Sequence, residues 1–168
     1  MLKIAYSPIY NYPVPAHHRI PMEKYDLLPK QLIHEGIVEA DAFFEPTLLD
    51  ESVILLTHTA SYWHQLKNGL LSDREERVSG FSHSPKLIER EITILQGSLQ
   101  SAFYALEHGI SFNIAGGTHH AFSDHGEGFC LLNDIAVSIN YLLAKKNDFQ
   151  SFSSRFRCAP RQWNSCSI

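Results

Sequence analysis

Leu2 to Tyr6 alternates apolar with polar residues, the period of a strand with one covered face. Ser7-Pro8 and Asn11-Tyr12-Pro13 then break it into a proline-rich loop that carries His17-His18-Arg19. From Pro21 the period lengthens: Met22, Tyr25, Leu28, Leu32 and Ile33 fall on one side of a helix that contains Pro29 and stops at Gly36, as a glycine C-cap stops one. Ala42 to Glu45 predicts a short strand. Asp50 to Leu56 and Ser61 to Lys67 predict two short helices, divided by Thr57-His58-Thr59, the second ending at Gly69, and the polar run Ser72 to Arg77 predicts a surface loop. Ser84-Pro85 pairs a capping serine with a proline at the first helical position. The apolar set Leu87, Ile88, Ile92, Leu95, Leu99, Ala102 and Leu106 continues that helix to His108-Gly109.

Ile110 to Ala115 predicts another strand, and a glycine-rich loop follows. Asn133-Asp134 caps a last helix with Ile135, Val137, Ile139, Leu142 and Leu143 on its apolar side. Strands that alternate with helices predict an α/β fold, a parallel sheet flanked by helices. In such sheets ligands bind beyond the carboxyl ends of the strands, which is where Gly116 to Cys130 falls.

Composition narrows the function classes. A chain of 168 residues with 44% apolar content is long enough for one domain with a hydrophobic core. Its formal charge of −4, with basic residues scattered along the chain, gives no footing for nucleic acid or an anionic membrane surface. Cys130, Cys158 and Cys166 form an odd set without a CxxC pair, so neither a disulfide framework nor a cysteine zinc site is expected, and a reducing cytoplasm fits. No stretch has the length of a signal peptide's apolar core or approaches the ~20 apolar residues of a membrane span.

The loop itself reads GGTHHAFSDHGEGFC from Gly116 to Cys130. Neighbouring residues on a strand face opposite sides, so His119 and His120 can converge on one ligand only where the backbone has left the sheet, a departure that Gly116-Gly117 permits. Imidazole titrates near neutrality, so one ring can take a proton from water while its neighbour supplies charge or a proton to a leaving group. Two readings of the pair stay open on residue type alone: an acid/base dyad, or two solvated loop histidines in a chain of ten.

The stretch Ala115-GGTHHAFSDHGEGFCLLND-Ile135 resembles the tandem-histidine and GFC-x-x-ND signature of the zinc-dependent histone deacetylase superfamily, in particular its bacterial histone-deacetylase-like and acetoin-utilisation members. The likeness extends more loosely to His18 through Tyr25, to His58-x-x-x-Tyr62 and to the Ser84 to Gly109 helix. The resemblance implies an arginase/deacetylase-type fold in which water on a zinc ion attacks the acetyl carbonyl of an acetylated lysine or a small acetylated amine. It implies His120 as general base, His119 as its electrostatic partner, Gly128 as the residue whose backbone carbonyl meets the substrate amide, and Phe129 as one wall of an acyl tunnel. Arg19 matches an arginine that in relatives lies near an internal channel, with a single surface arginine as the alternative. His58 is read as a packed or capping histidine, and His17, His18, His64, His83, His108 and His125 as solvated side chains. A non-catalytic acyl-lysine or partner-binding module is the alternative. An arginase-like hydrolase is disfavoured by GFC after the histidines.

The same resemblance calls for a D-x-H segment on the next strand, a later aspartate and a tyrosine, and none follows in this chain. After Lys146 it reads NDFQSFSSRFRCAPRQWNSCSI, without leucine, valine or either period. Codons allowed for Arg155 to Cys166, read one base later, yield DLDVHHGNGTA, and those allowed for Asp148 to Ser154 yield IFKVFLV, a buried strand. The expectation is therefore an incomplete fold: residues 1–146 as the N-terminal part of a deacetylase domain, and 147–168 as an aberrant tail produced by a frameshift near Lys146-Asn147. Zinc is expected in the intact family member and not in this chain, because the carboxylate and imidazole that anchor the ion are missing.

Overall fold

The computed structural model describes residues 1–15, 18–47 and 49–145. Its sheet has three short strands, β1 (Lys3–Ala5), β2 (Phe43–Phe44) and β3 (Ser111–Asn113), in the order β2-β1-β3 and parallel throughout. Ile4 is aligned with Phe43 on one side and Phe112 on the other, so the central strand buries Ile4 and Ala5 almost completely. The α/β class expected from the alternation of periods is the class observed.

Six α-helices accompany the sheet among the described residues: α1 (Lys24–His34), α2 (Glu51–Ile54), α3 (Ala60–Asn68), α4 (Asp73–Ser79), α5 (Pro85–His108) and α6 (Asp134–Ala144). α5 organises the rest. Ser84 caps it by accepting from the Leu87 backbone N–H, Pro85 occupies its first turn, and Gly109 ends it with φ of 89°. Its buried stripe of Leu87, Ile88, Ile94, Leu95 and Leu99 packs on β1, β3 and α6. Gly97 lets this helix come close to the sheet, since a Cβ there would stand 2.6 Å from the Tyr10 hydroxyl and 3.1 Å from the Ala5 Cβ. α3 and α6 complete the core through Tyr62, Leu66 and Val137, each nearly free of solvent contact.

One element departs from the sequence reading. Ser72 to Arg77 opens a helix, α4, rather than a loop, and it does so through a full capping box: Ser72 accepts from the Glu75 backbone N–H while the Glu75 carboxylate accepts from the Ser72 N–H at 2.8 Å. Few apolar residues lie in this segment to show a period, and the box alone announces it. Gly80 then ends α4 with φ of 81°. At β3 the strand is shorter than the Ile110 to Ala115 run, and Ile110 and Phe112 stay 54% and 52% exposed. No helix of the described residues is long and apolar enough to cross a membrane.

Candidate active-site loop

The chain leaves β3 at Asn113 and turns within four residues. Gly117 adopts φ of 91°, and Gly116 has no room for a side chain, because a Cβ would stand 2.5 Å from Ser98 Oγ and 2.8 Å from Asn113 Nδ2. Beyond that bend His119 and His120 bring their rings together, with centroids 4.6 Å apart and planes at 27°. Both residues are exposed. His119 Nδ1 lies 3.2 Å from the Gly117 carbonyl oxygen, which can only accept, so the bond requires Nδ1–H and leaves Nε2 as the base of that ring.

The loop returns through a tight hairpin. Glu127 and Cys130 exchange two backbone hydrogen bonds of 3.0 Å, and the two residues between them, Gly128 and Phe129, have φ of 57° and 64°. Positive φ at both central positions is what a type I′ turn demands. Phe129 is the one non-glycine residue among those described in this region of backbone space, a placement that costs on the order of 1–2 kcal/mol. The neighbouring helix end offsets it: Gly128 N–H donates to Val78 O at 3.3 Å and Phe129 N–H to Ser79 O at 3.0 Å. Gly80 makes space for the ring, since a Cβ there would fall 2.4 Å from Phe129 Cε1. The Phe129 ring then meets His18 and Phe81 edge-on, at 5.3 and 6.1 Å between centroids.

These two halves of the loop meet. The position a Gly128 Cβ would take lies 3.3 Å from His120 Cγ, so the second imidazole rests over the glycine backbone. Gly116, Gly117, Thr118, Gly128 and Phe129 also line a shared cavity of about 250 Å³, with Arg90 and Glu91 in its wall. Neither histidine ring lines that cavity. The Arg90–Glu91 ion pair is 4% and 5% exposed, with Arg90 Nε donating to Tyr10 O at 2.9 Å, and burial pushes the Glu91 carboxyl up against the opposing pull of Arg90.

Behind the loop stand groups that serve it structurally. Cys130 is fully buried; its sulfur accepts from Ala121 N–H at 3.2 Å and donates to Leu132 O at 3.3 Å, and burial raises its thiol, so it packs and does not react. Tyr62 Oη donates to Leu131 O at 2.9 Å. His58, 2% exposed, accepts the Asn133 N–H on Nε2 at 3.1 Å, so the reading of it as a packed histidine holds. Burial lowers its pKa; the carbonyls of Phe122 and Ser123, which Nδ1 faces without closing a bond of good geometry, oppose that fall.

Two of the histidines read as solvated are not. His18 stacks on Phe81 at 5.3 Å and its Nε2 lies 3.1 Å from Gly80 O; His83 turns its ring into Gly69, where a Cβ would stand 2.7 Å from Nδ1. His64 is exposed, as expected; the His108 side chain, 28% exposed, stacks on Tyr104 at 6.2 Å, His125 stacks on Phe122 at 4.4 Å and pairs with Asp124 at 2.7 Å, and His17 lies outside the described residues. Arg19 is exposed beside Phe129 and Arg77.

A zinc ion would need several converging donors. Among the described residues no group of three or more His, Cys, Asp or Glu side chains could hold a metal ion. The stacked imidazoles alone do not fit that requirement, and the predicted tail, 147–168, lies outside the described residues.

Comparison with known proteins bears on the same segment. The chain is 38% identical over 135 residues to an uncharacterised protein of Picosynechococcus sp., covering 80% of this chain and 45% of that protein. It is 24% identical over 140 residues to the acetoin utilization protein AcuC of Staphylococcus aureus, covering 77% and 36%. Its backbone superposes on the crystal structure of an HDAC homolog from Aquifex aeolicus with a TM-score of 0.71 at 24% identity, covering 86% of this chain and 42% of that one, a likeness of fold. The chain thus spans less than half the length of these relatives. The family model of the histone deacetylase domain matches residues 18–151, a span that takes in the helices of the core, the tandem histidines and the GFC turn, and by that match the chain belongs to the histone deacetylase family.

Proposed function

We propose that this chain is the N-terminal part of a zinc-dependent deacetylase of the histone-deacetylase-like type, working in the reducing cytoplasm on acetylated lysine or a small acetylated amine. The observation that carries the reading is the stacked His119–His120 pair resting over Gly128 at the end of a parallel strand. In the intact protein His120 takes the proton of the attacking water as general base, and His119, with Nδ1 committed to Gly117 O, holds its ring against it as electrostatic partner. Water adds to the acetyl carbonyl, the amide C–N bond breaks, and the proton held by imidazole leaves with the amine. Gly128 offers its carbonyl to the substrate amide and Phe129 an aromatic wall to its methylene chain.

The 168-residue chain as it stands is inactive in this reading. Residues 147–168 are the product of a shifted frame and carry no histidine, so the D-x-H donors are missing, and without the metal the pKa of water stays far above neutrality. Support for an incomplete fold comes from the family match, which stops at residue 151, and from Ile110 and Phe112, apolar side chains left open at and next to the edge strand β3. A second reading, a metal-free acyl-lysine binding module, draws on the aromatic cluster of His18, Phe81 and Phe129 beside Gly128.

Zinc content and turnover of an acetyl-lysine peptide by the purified chain test the proposal. Neither metal nor turnover is expected, whereas a chain continued in the restored frame should gain both. Stoichiometric zinc with turnover in the 168-residue chain would overturn the inactivity, and a restored chain that binds the peptide without hydrolysing it would favour the binding module.

A further inference from the structure

Asp134 stands in the first turn of α6, where an acidic side chain ordinarily faces water and gains a few tenths of a kcal/mol from the helix dipole. Here it is turned inward and is 1% exposed. It is not needed as the cap, because Asn133 Oδ1 already accepts from the Ala136 N–H at 3.0 Å. Among the described residues, the groups that meet its carboxylate, apart from the Ile135 backbone of α6 itself, belong to the bend or to α5. Oδ2 accepts from the Gly117 N–H at 2.9 Å and from the Ser98 hydroxyl, and Oδ1 faces the Thr118 hydroxyl at 3.4 Å. Ser98 is itself held by Asn113 Nδ2, at 2.9 Å, and that amide also donates to Ile94 O at 2.8 Å. The last residue of β3, the middle of α5 and the start of α6 are thus linked in one chain of bonds that ends, through the Asp134 carboxylate, on the Gly117 N–H.

That peptide is the hinge of the loop. Gly117 is bound at its N–H by Asp134 and at its carbonyl by His119 Nδ1, and Asn133 Nδ2 fixes the main chain on either side of His120 through His119 O at 3.3 Å and Ala121 O at 3.2 Å. A buried carboxylate is expensive unless its lone pairs are filled, so this one persists only with the bend in place.

We propose that Asp134, with Ser98 as its support, is a positioning residue: it clasps the Gly116–Thr118 bend and thereby sets where the His119–His120 pair points. The proposal rests on the reading of that pair as the acid/base station, but the clasp can be read without any turnover.

The experiment uses the whole 168-residue chain, isotope-labelled, followed by NMR in the wild type and in Asp134→Asn and Ser98→Ala. The readouts are the exchange rate of the Gly117 amide and the cross-peaks and ring carbon shifts of His119 and His120, with mid-α5 amides as the internal reference. In Asp134→Asn, which exchanges a charged acceptor for a neutral one, Gly117 should exchange about ten- to a hundredfold faster relative to α5, and the ring-to-ring cross-peaks should weaken. Ser98→Ala should move the same signals in the same direction by less. A folded Asp134→Asn chain with unchanged ring signals, or one in which all amides accelerate equally, overturns the proposal. Should that variant not fold, Ser98→Ala decides, and unchanged ring signals there overturn it too. Absence of deacetylation in a restored chain would remove the functional reading and leave the clasp standing.

Discussion

Helix α5 and the loop from Gly116 to Asn133 occupy adjoining parts of the molecule and are held by opposite means. α5 is placed by area: Leu87, Ile88, Ile94, Leu95 and Leu99 bury an apolar stripe against the sheet and α6, and no single contact decides its position. The loop is placed by direction. Its course depends on a few bonds from Asp134, Asn133, Ser79, Val78 and the Cys130 sulfur, and on glycines at Gly80, Gly116, Gly117 and Gly128 where a side chain would collide or φ is positive. Non-directional burial supplies stability that tolerates small changes of shape. Directional bonds supply little net stability but one geometry, which is what the acid/base role proposed for the two imidazoles would need.

The comparison breaks most visibly at Leu95. Leu95→Ala removes a side chain with no solvent exposure, and the cavity left should cost about 3 kcal/mol, read as a lower urea midpoint at unchanged slope. Helix and loop should then melt together. A smaller and more local effect is expected at Gly80, where Ala must adopt φ of 81° with its methyl 2.4 Å from the edge of the Phe129 ring, a loss of about 2 kcal/mol. Its measured signature should be displaced Phe129, Gly128 and His120 signals with α5 protection unchanged. Equal disturbance of α5 would show that the two regions are not separately held.

The gentlest of these tests is pH. His58 is buried and its folded pKa lies below the ordinary 6.5, so the unfolded chain binds the extra proton first. The stability it contributes is fully present above about pH 6.5 and is lost as pH falls through that value towards the folded pKa. Denaturant titrations at falling pH should show this slope, and His58→Gln should flatten it. Since His58 holds the Asn133 N–H, the first amides to lose protection on acidification should be those of the loop end and of the α6 start rather than of α5.

Much of this was legible along the chain. The strand period at Leu2 to Tyr6, the serine-proline start of α5, its glycine stop and the Asn133 cap all appear where local pattern put them, because each is decided by residues within a turn or two of one another. α4 is not announced by an apolar period, since Asp73-Arg-Glu-Glu-Arg77 has none; its Ser72–Glu75 box is the local signal that marks it. His18 and His83 were misjudged for a different reason. Residue type says how readily an imidazole is solvated, and only the fold says that Phe81 or Gly69 lies against it.

The sequence alone settled the order of strands and helices apart from α4, the glycine-flanked histidine pair and the signature that resembles the deacetylases, since these depend on near neighbours and on the identity of a few residues. The tertiary structure alone decided that the two rings stack with His120 over Gly128, that Phe129 takes a left-handed conformation against α4, and that Asp134 turns inward onto Gly117. Those outcomes require segments from α4, α5, β3 and α6 to meet. Hydrogen bonds and steric exclusion act over a few ångströms in space, and no local pattern along the chain states which distant groups will arrive there.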